Sequence, residues 1–99
     1  MAFPEYPTDE HVRALLRHQY PAEEHDAVLS LLEPVAHEGH MGWSPARIRL
    51  AALAMSNGNK SLISHWIDQG NKDCRDLQLS VRARLGPTWE RDCLFDANR

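Results

Sequence analysis

The feature that most constrains this chain is a stripe in its second half: Ile63, Ile67, Gly70, Cys74, Leu77, Val81 and Leu85, with Trp66 alongside. The steps between its members are 4, 3, 4, 3, 4 and 4. That is the spacing of one helix face, and it is close to a heptad repeat. A strand would need alternation with period two, and no run of β-branched or aromatic residues supplies it. Read as one unbroken helix from near Lys60 to Leu85, the segment is ~25 residues and ~38 Å long at 1.5 Å per residue. Gly70-Asn71 is the point at which such a helix can bend or break.

Local punctuation places the remaining helices. Thr8 is a good N-cap, with Asp9 and Glu10 in the first turn, where the helix dipole favours negative charge. Val12, Leu15 and Leu16 then form a short apolar stripe. Pro21 stops that helix and can open the next, whose buried face is Val28, Leu31, Leu32 and Val35. Residues from His37 to Trp43, with two glycines, read as a loop. Ser44-Pro45 is the clearest start signal, a capping serine before proline at the first helical position. The helix it opens runs through Ala-, Leu- and Ile-rich sequence to Asn57-Gly58-Asn59. Gly86-Pro87 closes the long helix, and Thr88 can cap one further turn carrying Trp89, Cys93, Leu94 and Phe95. The expected fold is all-α: a small bundle of four to five helices with a long C-terminal helix. It fills residues 1–99 as one domain, with 1–7 and 96–99 flexible.

Composition narrows the class without naming a chemistry. The chain has 99 residues, of which 42% are hydrophobic and 25% charged, ordinary values for one small globular domain. No stretch reaches the ~20 apolar residues of a membrane span, and Met-Ala-Phe-Pro-Glu has no signal-peptide pattern. Two cysteines, Cys74 and Cys93, are too few for a disulfide framework. A cytoplasmic location with free thiols is expected. Charge divides unevenly: two basic and eight acidic residues in 1–43 give −6, and nine basic and six acidic in 44–99 give +3, summing to the net −3. The simplest consequence is that acidic first helices lie beside basic later ones and partly neutralise them. The functional alternative is that the basic second half, residues 44–99, meets an anionic partner such as nucleic acid.

Candidate sites are sparse. His37 and His40 are the weak candidates for a metal, but their H-x-x-H spacing falls in a loop, not on one helix face as in H-E-x-x-H. Cys74, His65 and Asp68 or Asp73 share the long helix, yet Cys74 falls on the apolar stripe, where a thiol behaves as a small buried hydrophobe. Asp73 and Asp76, interleaved with Lys72 and Arg75, read as a salt-bridged helix face. No nucleophile elbow, phosphate loop or dinucleotide fingerprint is present. No catalytic residue, cofactor or metal is expected. The pair of helices around Asn57-Gly58-Asn59 has helix-turn-helix form, with residues 60–70 as the second helix, but few cations on it.

The run Arg47 to Asn59, followed by Trp66-Ile67 and Asp73-Cys74-Arg75-Asp76-Leu77, resembles a segment of small uncharacterised bacterial all-helical proteins. The likeness covers residues 46–77, and Cys74 departs from it where an aromatic residue is typical. It implies a bacterial helical domain and carries no activity. The remaining inference is from burial. Three short helices cannot easily cover a stripe of this length, so Ile63, Trp66, Ile67, Gly70, Cys74 and Leu77 are expected to form an interaction face. A protein partner or a second copy of the chain would cover it.

Overall fold

Capping residues set most element boundaries in the computed structural model, which describes residues 8–35 and 45–97, the last four by backbone alone. Thr8 precedes helix α1 (Asp9–Gln19), its N–H donating to His11 Nδ1 at 3.0 Å, with Asp9 and Glu10 in the first turn. Pro21 ends this run, and a 3-10 turn, Ala22–Glu24, leads into α2 (His25–Leu32). Pro45 takes the first position of α3 (Pro45–Ser56). Asn57 and Gly58 then adopt positive φ of 47° and 85°, a conformation glycine takes without Cβ strain. Asn59 accepts a hydrogen bond from the Ser61 N–H at 3.2 Å and opens a second 3-10 turn, Lys60–Leu62. Among the described residues every regular element is helical, as the stripe spacing requires.

The long helix is not continuous. It divides into α4 (Ile63–Lys72) and α5 (Cys74–Leu85), and a short α6 (Trp89–Ala97) follows. The described chain therefore has six α-helices in place of four or five, and its C-terminal helix has 9 residues. The break is at Asp73, three residues beyond Gly70. Asp73 has extended backbone (φ −158°, ψ 105°) and serves both neighbours. Its N–H donates to Gln69 O at 3.0 Å, closing α4, and its carboxylate accepts from the Arg75 N–H at 2.9 Å, opening α5. An aspartate that captures a nearby backbone N–H competes with helix continuation, and here the competition decides the fold.

Gly70 stays helical because its neighbours need the space. A Cβ there would lie 2.8 Å from Ile48 Cγ2 and 3.0 Å from Leu77 Cδ2. Beside it, Asn71 Nδ2 donates to Pro34 O at 2.6 Å and ties α4 to the end of α2. Helix α3 occupies the centre, and every residue from Leu50 to Ser56 is buried. Its most extensive contact is with α4, and α1, α5 and α6 also pack on it. Leu85, the last member of the sequence stripe, is 41% exposed and leaves the core. The expected flexible segment 1–7 and the expected loop from His37 to Trp43 lie outside the described residues, and of the expected flexible 96–99, Asp96 and Ala97 complete α6 while 98–99 lie outside them.

Two measurements check this account. Gly70→Ala gains about 1 kcal/mol of helix propensity but overpacks a site where a β-branched methyl cannot swing away, a cost of about 1–3 kcal/mol. A net loss of up to about 2 kcal/mol is expected in denaturant unfolding, and Ile48→Ala in the same chain should reduce the penalty attributable to Gly70→Ala. For Asp73, the Arg75 N–H and then the Arg75 side chain hold the carboxyl below its ordinary 3.8. A lowered folded value means that its charge stabilises the fold fully above the ordinary value, and that this is lost as pH falls through the lower one. Asp73→Asn should therefore be less stable than wild type at neutral pH, with the gap closing on acidification below 3.8.

Candidate functional site

The face expected to bind a partner is covered from within the chain. Ile63 and Leu77 are fully buried, Ile67 and Cys74 are 2% exposed, and Trp66 is 7% exposed. With the helix broken at Asp73, α4 and α5 both pack on α3 and on each other. The close approach that Gly70 permits is filled by Ile48 of α3, not by a second backbone. These six residues belong to the core of the chain itself.

The other sequence candidates also take structural roles. His37 and His40 lie outside the described residues. Among the described residues, no three His, Cys, Asp or Glu side chains converge to hold a metal ion. Cys74 is buried, Asp73 is engaged as a helix cap with Arg75, and His65 packs edge-on against Trp66 with centroids 4.6 Å apart. Helices α3 and α4 are packed against each other across the Asn57–Asn59 turn, but the cations expected to serve a helix-turn-helix contact are used internally. Arg47 pairs with Glu90 of α6. Arg49 Nε donates to Leu32 O at 2.9 Å, and its guanidinium lies 3.7 Å from Asp9. Lys60 Nζ pairs with Glu24 Oε1 at 2.8 Å. The last two pairs join the acidic first half to the basic second half, the neutralisation expected from the charge division. Lys60 and Glu24 also sit by Tyr20, whose phenol is pushed up from its usual 10.0 by burial first and by the Glu24 charge second, with Lys60 opposing.

What remains on the surface is more informative. A cleft of about 460 Å³ opens between α1 and α2. Arg49 lies at it, immobilised by the α2 carbonyl, and Asp26, Leu29, Glu33 and Arg13 line it. Leu29 is 38% exposed. Asp26, Arg13 and the Glu33 carboxylate make no ion pair among the described residues. A smaller cavity of about 340 Å³ lies among α1, α3, α5 and α6, with Leu15, His18, Asn57, Leu85, Trp89 and Cys93 in its wall.

The third feature is the outer face of α5. At 100° per residue, Leu79 projects opposite the buried Cys74, Leu77 and Val81. It is 66% exposed, the most exposed large hydrophobic residue in the described chain. Arg75 and Asp76 stand one turn before it and Arg82 one turn after, all exposed. Arg75 is held by Asp73 at 3.3 Å, whereas Arg82 has no ion pair among the described residues. The stripe rule could have found Leu79, since it is a large apolar residue off the stripe of a helix whose other exposed positions, Leu85 at its end apart, are charged or small.

Comparison of the chain with protein-family models, with curated proteins and with solved structures finds no match. Neither cysteine forms a disulfide; Cys74 is buried and Cys93 half-buried in the wall of the smaller cavity. In a native-state reaction with a thiol probe, Cys93 should label first and Cys74 only at the rate at which the fold opens. Equal, rapid labelling of both would contradict the packing of α5 against α3.

Proposed function

We propose that this protein is a small, non-catalytic helical interaction protein that works through contact with protein. A cytoplasmic place and kinship with the small bacterial helical proteins resembled by residues 46–77 belong to the same reading. The observation that carries it is Leu79. Its side chain stands 66% exposed at the outer pole of a helix whose opposite side is fully buried. It is neither part of the core nor needed to hold the helix in place. Burying a leucine is worth ~1.5–3 kcal/mol, which a partner would collect. The arginines and the aspartate around it give the contact a direction and a preferred charge pattern.

A nucleic-acid reading draws on the same arginines, and the chemistry supports it less. Phosphate binding needs several unengaged cations along one track. Arg75 is engaged by Asp73, Arg84 lies over the Trp66 ring at 5.4 Å, Arg47 is paired with Glu90, and Arg49 and Lys60 are tied to the acidic first half. Asp68 and Asp76 stand exposed among those that remain.

Paired substitutions test the assignment. Leu79→Glu should leave helical circular dichroism and the unfolding midpoint nearly unchanged, because the site is solvent-facing, while abolishing concentration-dependent association in sedimentation. Ile67→Glu should unfold the chain, since it would bury an unpaired charge at a position that is 2% exposed. Association unaltered by Leu79→Glu would remove the α5 face from consideration. Salt-sensitive gel shifts with mixed DNA and RNA would favour nucleic acid instead.

A further inference from the structure

The cleft between α1 and α2 and the outer face of α5 are complementary, and we infer that the partner of the α5 face is the cleft of a second copy of this chain. The inference rests on the reading of α5 as the contact face and adds the occupant. Each surface has one exposed leucine among charges, several of which make no ion pair among the described residues. In the cleft, Leu29 stands with Asp26, Glu33 and Arg13. On α5, Leu79 stands with Arg75, Arg82 and Asp76. Beside the Arg49–Asp9 pair the cleft leaves two carboxylates and one guanidinium open, and beside the Arg75–Asp73 pair the helix face leaves Arg82 and Asp76 open, so Arg82 can meet Asp26 or Glu33 and Asp76 can meet Arg13. Arg82 in particular lacks an ion pair, as do Asp26 and Arg13.

The match extends beyond these side chains. Residues 1–43 sum to −6 and residues 44–99 to +3, so two copies attract when the first half of one approaches the second half of the other. Within one molecule the contact cannot form. Helices α2 and α5 both pack on α4 and make no substantial contact with each other, so Leu79 does not reach its own cleft. The floor of the cleft is also firm, because Arg49 is bonded to Leu32 O and Glu33 O and does not need the visitor to satisfy it. A helix face entering there meets a preformed site, which lowers the ordering cost of association.

The contact joins different surfaces of the two copies. It therefore either closes as a two-fold pair that uses it twice, or propagates head to tail. Both arrangements make the same demand: each contact needs Leu79 from one chain and Leu29 from the other.

Mixing two defective variants reads that demand directly. Leu29→Glu spoils the cleft and leaves α5 sound, and Leu79→Glu does the reverse. Both positions are exposed, so both variants should fold, checked by circular dichroism. Sedimentation in the high-micromolar range should show association of the wild type that weakens with added salt, and each variant alone should be monomeric. An equimolar mixture of the two should recover a species of two chains, one of each kind, because one intact cleft and one intact α5 face are then present. A mixture that stays monomeric while the wild type associates overturns the cleft as the occupant's site. In that case Leu79→Glu being monomeric still supports the α5 face as a contact surface. A wild type that is monomeric throughout overturns the second-copy inference, and a Leu79→Glu variant that associates like wild type overturns both readings. Exchange of charge gives an independent check: Arg82→Glu should weaken association several-fold, and mixing it with Asp26→Arg should restore part of the loss.

Discussion

A helix buried on all its sides has to be surrounded before it is stable, and α3 is such a helix. Leu50 to Ser56 are buried one after another, with no polar face turned to water. Ala51, Ala52 and Ala54 keep its girth small, so α1, α4, α5 and α6 can all pack on it. The charges near its start must also be placed. Arg47 is anchored to Glu90 of α6, and Arg49 to the last carbonyls of α2 and to Asp9 of α1. These arginines bind the helices that enclose α3 to one another, so the enclosing layer and the buried helix form together. At the other end Ser56 is buried with its hydroxyl unpaired, a local cost set against the packing around it.

The need to enclose α3 explains why the long stripe is divided. A continuous helix from Lys60 to Leu85 would cover α3 along a single line and leave much of the central helix bare. With a corner at Asp73, the stripe applies Ile63, Ile67 and Gly70 from α4 and Cys74, Leu77 and Val81 from α5. The helical period, the turn at Asn57-Gly58-Asn59, the start at Pro45 and the burial of Cys74 were legible from spacing and capping rules. The position of the break was not, because both Gly70-Asn71 and Asp73 can interrupt a helix locally. Tertiary packing chose between them. Gly70 is needed as a space under Ile48 and Leu77, and so stays helical. Asp73 can satisfy the backbone on both sides of the corner.

The same division explains why the expected interaction face was misplaced. Counting apolar residues on one helix face shows that a surface must be covered, but it does not say by what. A nearly all-apolar α3 has no single stripe of its own to declare how many neighbours it needs. The contact surface proposed for α5 rests on the opposite signal. Leu79 lies off the core stripe and is exposed because no residue of this chain needs it. The charge division was legible as far as neutralisation between halves, through Lys60 with Glu24 and Arg49 with Asp9. The cleft at Leu29 was not, since it depends on how α1 and α2 diverge.

Energetics then limit the kind of contact these surfaces can make. One leucine from each side contributes at most ~3 kcal/mol before any cost of association is counted, because Leu79 is 66% and Leu29 only 38% exposed to begin with. Losing translational and rotational freedom costs at least ~4 kcal/mol, and micromolar affinity requires about −8 kcal/mol in total. The leucines alone therefore fall short of a tight complex. Exposed ion pairs add ~1 kcal/mol or less each and are screened over ~8 Å at physiological salt. A contact built this way is weak, exchanges quickly and responds to ionic strength. Such behaviour distinguishes this arrangement from an obligate dimer, in which the apolar stripe of α4 and α5 would itself have been the interface and the monomer would not close its own core.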